Sequence, residues 1–525
     1  TGASAAVSAA TAESSVSFAE EFATPTNNDY KPGIRYWFSP GRMTEAQTRK
    51  EIRNFADMGY GHVELISLEQ TTVQMNSKEW NDVMYWILDE AVKVGIRIDV
   101  TLGEFWPIAT EAIPKDEAYT SPAAEQKLSV GSVDFAASEG NMVYSEETFA
   151  NPSYQTTGWR PQTVYAYDAR YPFTLVAVTA AKKNADGTYD PDSAVVLTDL
   201  VNKETGAVSW TAPSEGNWSI FWAYQQNTGK ILSFGVDATV VDHMSTQGTQ
   251  AVIDDFEQGF DAYEEETGID LRALYKAAGG DFFGDSFELS SCTMWTWDFL
   301  QEFQARRGYD LTPYLATIWN SGSYNDASAA RTYEFDGIGE KVRNDYGLTV
   351  SELIAERHLA VFNEWAETLD MNLRYQVHSS SGALLIDETV GALATDTPET
   401  ESYALGNSLD AYRSKSAAAT LMNSRYGAEA AAEGNMAWVQ TWTGSTGTKT
   451  DHGLMYFTNR LFAGGVNELT LHGATYQLEG QLPDIVAGSF MPFPVPPFTV
   501  TFPGYSLMQG MNYPNDWANS TPLYT

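Results

Sequence analysis

Short apolar segments that alternate with amphipathic helical segments constrain this chain more than any other feature. Gly33-Ile-Arg-Tyr-Trp-Phe38 reads as a buried strand, closed by Ser39-Pro-Gly41 and followed by a helix whose start, Thr44-Glu-Ala-Gln47, fits a capping box. Ile52, Phe55 and Met58 fall at helical spacing up to Gly59, and the strand His62-Val-Glu-Leu-Ile66 follows at once. A helix from Trp80 to Val94, stopped by Gly95, leads into a third strand, Ile96-Arg-Ile-Asp-Val-Thr-Leu102. Three strands alternating with helices imply a parallel sheet.

From about 125 to 240 the rhythm changes to short alternating runs, such as Phe173-Thr-Leu-Val-Ala-Val178 and Trp218-Ser-Ile-Phe-Trp-Ala-Tyr224, separated by Gly, Asp, Asn and Pro. That pattern predicts an inserted all-β domain, sandwich-like, with Asn184-Ala-Asp-Gly187 as a hairpin turn. The first pattern then resumes. A helix over 251–267 precedes the strand Asp281-Phe-Phe-Gly-Asp-Ser-Phe-Glu288, and helical segments at 297–307 and 341–369 follow. Further strands are expected at 373–378, 394–401, 436–442 and 467–472.

Eight strands with intervening helices are the arithmetic of a (β/α)8 barrel, whose sites lie at the carboxyl ends of the strands. A doubly wound open sheet is the rival, but no Gly-rich dinucleotide loop follows the first strand. The expected organisation is a lead over 1–28, a first part of the barrel over 29–120, the β-insertion over 121–240, the rest of the barrel over 241–485, and an extension over 486–525.

Composition narrows the partners. The 525 residues include 31 basic and 69 acidic side chains, a net charge of −38, which disfavours nucleic acid and anionic lipid surfaces. No run approaches the roughly 20 apolar residues that span a bilayer, so no membrane insertion is expected. The single cysteine, Cys292, cannot form an internal disulfide. The small-residue start Thr1-Gly-Ala-Ser-Ala-Ala and the sequons Asn217-Trp-Ser219 and Asn519-Ser-Thr521 permit a secreted or periplasmic protein.

The strand ends carry the same few side chains. Glu104 and Trp106 follow the third strand, Asp285 and Glu288 the fourth, His378 the fifth, Glu399 and Glu401 the sixth, Gln440 and Trp442 the seventh, and His472 the eighth. Asp242 and His243 lie in the segment re-entering the barrel. Aromatic faces stack on pyranose rings, acids and imidazoles bind hydroxyls, and two carboxylates can protonate a leaving oxygen and activate water. Such a set suits a sugar, so the expected partner is an oligosaccharide or polysaccharide, with no organic cofactor. Bland readings stand beside this one: a structural salt bridge for Glu288, a solvated acidic loop for Glu399 and Glu401, a satisfied core histidine for any one His, and core packing for Trp295 and Trp297.

The order of several motifs resembles glycoside hydrolase family 106, the α-L-rhamnosidases. They are Pro32-Gly-Ile-Arg-Tyr-Trp-Phe38, Met58-Gly-Tyr-Gly-His-Val-Glu64, Val241-Asp-His-Met244, Asp285-Ser-Phe-Glu288, Asp298-Phe-Leu-Gln-Glu-Phe-Gln-Ala-Arg-Arg-Gly-Tyr309, Pro398-Glu-Thr-Glu401 and Gly465-Val-Asn-Glu-Leu-Thr-Leu-His472. The likeness runs from about 30 to 480. It implies a (β/α)8 barrel interrupted by β-structure, inversion at the anomeric carbon and a calcium ion near the sugar. Glu288 matches the general acid, Glu399 and Glu401 match acids of the sugar subsite, and Asp242, His243, His378 and His472 match polar positions around it. Members usually continue into further β-domains, so the chain resembles a shortened form.

One position departs from the family. Its seventh strand carries the basic Glu in a Ser-Ala-Glu-like context, whereas Ala437-Trp-Val-Gln-Thr-Trp442 has Gln440, and an amide cannot take a proton from water. The alternatives are a base at Glu399 or Glu401, an engineered inactive form, a drifted chemistry, or a shifted alignment, since Glu429 and Glu433 lie just upstream. The main expectation is an inverting glycosidase acting on a terminal α-L-rhamnosyl unit. Its rivals are a silent carbohydrate-binding barrel and a glycosidase for another sugar, such as an arabinoside or galactoside.

Overall fold

The computed structural model describes residues 17–38, 40–67, 72–103, 106–138, 143–146, 173–202, 207–233, 236–289, 293–320, 333–377, 386–401, 409–422, 425–430 and 459–476. Eight strands close into a barrel: β1 (Gly33–Phe38), β2 (His62–Ser67), β3 (Arg97–Thr101), β4 (Asp281–Gly284), β5 (Asn372–Tyr375), β6 (Thr397–Glu401), β7 (Gly427–Ala430) and β8 (Glu468–Thr475). Neighbours pair in parallel around the ring, β8 closing on β1 with Gly33 opposite Thr470. The (β/α)8 expectation therefore holds.

Local chemistry explains the outer shell. The helix Lys78–Val94 starts where the Ser77 hydroxyl accepts from the Trp80 amide and ends at Gly95, whose φ of 73° a side chain would resist. Outward-facing Tyr36 packs edge-on against Phe55 of the helix Glu45–Asp57, and its hydroxyl donates to Glu51 at 2.6 Å. The expected capping box at Thr44 does not form. The Thr44 amide is bound by the Tyr476 hydroxyl at 3.0 Å instead, and Gln47 reaches forward to Glu51. A contact across 432 residues thus replaces a local one.

The insertion leaves after β3 and returns beside its own exit, because Ala109–Thr110 pairs with Asp237–Val240. Entry and exit are adjacent, so the barrel closes undisturbed. The insertion supplies four strands of a five-stranded sheet in which Gly216–Asn227 lies between Gln126–Ala137 and Thr174–Lys182, the fifth, Met294–Trp295, coming from the barrel segment after β4; a separate pair is formed by Val143–Glu146 and Val208–Thr211. Ile220, Trp222 and Val208 share a core distinct from that of the barrel. The turn at Asn184 forms as expected, the Asn184 amide donating to the Thr188 carbonyl at 2.8 Å.

Several strand limits differ from expectation, three of them at candidate site residues. β4 ends at Gly284, so Glu288 lies four residues past the strand, and β5 ends at Tyr375, short of His378. The seventh position belongs to Gly427–Ala430, which pairs with β6 on one side and β8 on the other; residues 436–442 lie outside the described residues. Gly-Ala-Glu-Ala has none of the bulk that marks a strand in sequence, whereas Met436-Ala-Trp-Val-Gln-Thr-Trp442 has it in excess.

The lower end of the barrel is tight. A Cβ built on Gly33 would lie 1.8 Å from the His62 ring, whose Nε2 meets the Thr470 hydroxyl at 3.0 Å. Gly33→Ala is expected to destabilise the fold by about 1–3 kcal/mol through overpacking, measured by urea unfolding. An unchanged midpoint would mean the His62 ring moves freely.

Candidate active site

The barrel interior is built of ions where aliphatic layers are usual. Arg374 of β5 sits among carboxylates of four other strands: Glu64 at 2.7 Å, Asp99 at 2.9 Å, Asp281 at 3.5 Å, and Glu399, held tightly by its Nη1. Arg35 of β1 pairs with Glu64 and lies 3.4 Å from Asp285. The Phe283 ring lies between the two guanidinium groups, 5.1 Å from Arg35 and 4.7 Å from Arg374. All these side chains are buried. Burial raises the Asp99 carboxyl, Arg374 draws it back, and Asp281 adds to the rise. Burial acts on Asp281 in the same sense, but Arg425 and Arg374 outweigh it and hold that carboxyl below its usual value.

This network fixes the floor on which the β4, β6 and β7 ends stand. Glu399 is fully buried, one oxygen held by Arg374 and the other accepting from Gln376 Nε2 at 2.8 Å; its main-chain carbonyl accepts from Lys415 at 3.0 Å. Gly427, its partner on β7, leaves the room this requires, because a Cβ there would meet Glu399 Oε2 at 3.3 Å. Two residues further on, Glu401 and Glu429 are register partners on β6 and β7.

Residues 285–289 follow β4. Asp285 is buried, accepts from the Ser286 amide at 2.7 Å and faces Arg35. Phe287 is buried between His243, edge-on at 5.7 Å, and Tyr375, stacked at 5.3 Å. Leu289 is buried as well. Only Glu288 among residues 285–289 reaches partial exposure.

Behind this segment lies a cluster that was only half visible in the sequence. His243 is buried, its Nδ1 against the Val241 carbonyl at 2.8 Å, and its ring stands 4.5 Å from that of His358. His358 lies in a π-turn, Ala355–Leu359, inside a long helical stretch, and its nitrogens meet the Thr249 hydroxyl and the Tyr375 hydroxyl, each at 3.0 Å. Burial pushes both imidazoles down, His243 to about 4, so both are neutral at pH 7. A histidine in the middle of a helix carries no strand-end signal, so the sequence does not mark His358; Arg35 and Arg374 each read as one polar residue in an apolar run.

Asp242 is buried too, accepting from the Met244 amide and the Thr296 hydroxyl, each at 2.8 Å. Burial pushes its carboxyl up to about 7 against those bonds, and Glu125 and Asp298 add to the rise. A carboxyl raised in the folded state costs nothing below the unfolded value near 4. It costs progressively more between pH 4 and 7, and its full amount above that. Asp242→Asn is therefore expected to stabilise the protein by about 2–4 kcal/mol at pH 8 and to change little at pH 4. Urea unfolding at both pH values checks this; equal effects at both would refute the buried-charge account.

Trp106 is buried against Trp37 at 6.0 Å, Trp295 is buried with its indole donating to Gln225, and Trp297 is largely exposed. Glu104, His378, Gln440 and Trp442 lie outside the described residues, and Glu401 and His472 are placed as strand positions only. Among the described residues no group of three or more His, Cys, Asp or Glu side chains is arranged to hold a metal ion. No helix among them is long and apolar enough to cross a membrane.

A closed parallel barrel with acids at the carboxyl ends of β4, β6 and β7 defines a (β/α)8-barrel protein of the kind found among glycosidases. The family model described as alpha-L-rhamnosidase matches residues 157–493, more than half of the chain, and the chain belongs to glycoside hydrolase family 106. Among solved structures it is similar to a rhamnosidase from Novosphingobium sp. PP1Y, at 14% identity and a TM-score of 0.55, over 88% of this chain and 57% of that one. The chain thus spans little more than half the length of that relative. A β-galactosidase from Marinomonas ef1 matches at 11% identity and a TM-score of 0.38, over 86% of this chain and 55% of that one. A β-amylase catalytic domain from Paenibacillus polymyxa matches at 9% identity and 0.40, over 89% and 96%. Neither of these two reaches the level of a shared overall fold. No curated protein matches the sequence.

Proposed function

We propose that this protein is an inverting α-L-rhamnosidase that releases a terminal α-L-rhamnosyl unit from an oligosaccharide or polysaccharide. Glu288 donates the proton to the leaving oxygen, and Glu429 takes the proton from the attacking water. Glu401, beside Glu429 in the barrel, contributes to the sugar subsite.

The observation that carries this reading is the place of β7. Once the strand is Gly427–Ala430, its Glu429 stands in a Gly-Ala-Glu context, the kind the family resemblance associates with the base, and the missing carboxylate at Gln440 ceases to be a difficulty. β4 and β7 lie three strands apart around the ring, with β5 and β6 between them. A donor after one strand and a base on the other are thus carried by strands that do not adjoin, in keeping with the wider spacing of carboxyl groups that inversion requires. Glu399 fits this role poorly, since both its oxygens are already held inside the barrel. The silent-barrel alternative loses its main support for the same reason.

Substrate contacts are assigned by position. Asp285, Asp242 and His243 would support the subsite from beneath the segment that carries Glu288; Glu104, His378 and Trp442 remain candidates by their place in the sequence alone. Calcium, expected from the family likeness, enters no step here. An extracellular or periplasmic site of action belongs to the same proposal, in keeping with the −38 charge and the exposed Asn217 sequon; fractionation of the native host tests it.

The deciding experiment is proton NMR of the first product from an aryl α-L-rhamnoside. β-L-rhamnose appearing before mutarotation supports the proposal. α-L-rhamnose appearing first would make the enzyme retaining and remove Glu429 as a water-activating base. Release of arabinose or galactose from their glycosides, with none of rhamnose, would move the substrate to another sugar.

A further inference from the structure

We infer that Lys230, supplied by the inserted β-domain, is the positioning residue of the proton donor; this rests on Glu288 being that donor. Lys230 is 4% exposed, and its ammonium group donates to the main-chain carbonyl of Glu288 at 2.5 Å. Removing an ammonium from water is expensive unless its hydrogen bonds are well placed. Here one of them falls on the backbone of Glu288, the one partly exposed residue among 285–289.

The lysine is itself held in place. Its amide donates to the Thr228 hydroxyl at 3.2 Å, that hydroxyl donates to Glu125 Oε2 at 2.5 Å, and the Val240 amide donates to the Lys230 carbonyl at 3.1 Å. Residues 125, 228, 230 and 240 form the seam where the insertion leaves and rejoins the barrel. Lys230 also bears on the neighbouring site, its charge helping to keep His243 neutral.

The rest of the segment is fixed from the barrel side, Asp285 by Arg35 and Phe287 by His243 and Tyr375. At the donor itself the Glu288 amide donates to the Ser286 carbonyl at 3.0 Å, and Lys230 holds the carbonyl of the same residue from the insertion. The insertion therefore takes part in placing the donor rather than decorating the barrel.

A donor that is misplaced matters only where a proton must be delivered. The test compares kcat/KM on two α-L-rhamnosides, one with a 2,4-dinitrophenyl leaving group, which departs unprotonated, and one with an alkyl leaving group, which does not. In the 525-residue chain, Lys230→Met is expected to lose about 10–100-fold on the alkyl glycoside and less than about 3-fold on the dinitrophenyl one. Lys230→Arg, which keeps a cationic donor, is expected to recover most of the alkyl activity, and Lys230→Gln, which keeps an N–H, part of it.

Equal losses on both substrates in the folded variants, or no loss on either, would overturn the proposal and leave Lys230 a structural residue. Should the methionine variant fail to fold, the glutamine and arginine variants carry the same comparison. Glu288→Gln, measured alongside, separates the two readings. Wild-type activity in that variant would remove the donor itself, whereas leaving-group selectivity in Glu288→Gln without it in the Lys230 variants would remove only Lys230.

Discussion

Arg374→Met is expected to be among the most destabilising single substitutions in this protein, lowering stability by about 3–5 kcal/mol at pH 7. The guanidinium group meets Glu64, Asp99, Asp281 and Glu399, carboxylates of four strands, in a space closed to water. Methionine fills much of the volume but leaves those acids facing one another. The loss should shrink as pH falls toward 4, because acids without their cation have raised pKa values and take up protons in the folded state. Combining Arg374→Met with Glu399→Gln should recover part of the loss, since one uncompensated charge is then removed. Urea unfolding at pH 7 and pH 4 measures all three. A loss under about 1 kcal/mol at pH 7 would mean that the interior ions are screened in a way the buried geometry does not provide.

Glu288→Gln and Glu429→Gln are each expected to lower kcat on an alkyl rhamnoside by about 10²–10⁴-fold, with folding unchanged. They should differ on an activated substrate. With a dinitrophenyl leaving group Glu288→Gln keeps most of its rate, because no proton need be donated, while Glu429→Gln remains slow, because water must still be activated. Gln440→Glu is expected to bring no gain. Should Glu429→Gln retain wild-type rates while a gain appears at 440, the seventh-strand base would have to be sought in the later segment. Glu399→Gln, by contrast, should show itself mainly as lost stability, since it weakens the Arg374 pair.

The two predictions separate what the acids of this barrel do. Those at 64, 99, 281 and 399 are paired with arginine and hold strands together; those at 288, 401 and 429 stand at the carboxyl ends, past that layer. In sequence the two kinds look alike, because both are single acids in or just after an apolar run.

The amino-acid sequence by itself determined the eight-fold alternation, most strand starts to within a residue or two, and Glu288 as an acid beyond a buried strand. Those properties follow from local periodicity and turn chemistry, which need no partner to be read. It misplaced β7, because Gly-Ala-Glu-Ala becomes a strand only through register with β6 and β8, while the bulkier 436–442 carries the local signal. It placed the helix start at Thr44 but not the bond made there, which a tyrosine from the far end of the described chain supplies. Only the tertiary structure decided that Glu399 is bound inside the barrel, that His243 has His358 as its neighbour, and that Lys230 reaches Glu288 from the insertion. These are long-range matters: burial and electrostatic pairing belong to side chains that closure of the ring brings together from distant parts of the chain, and nothing in their immediate sequence records the meeting.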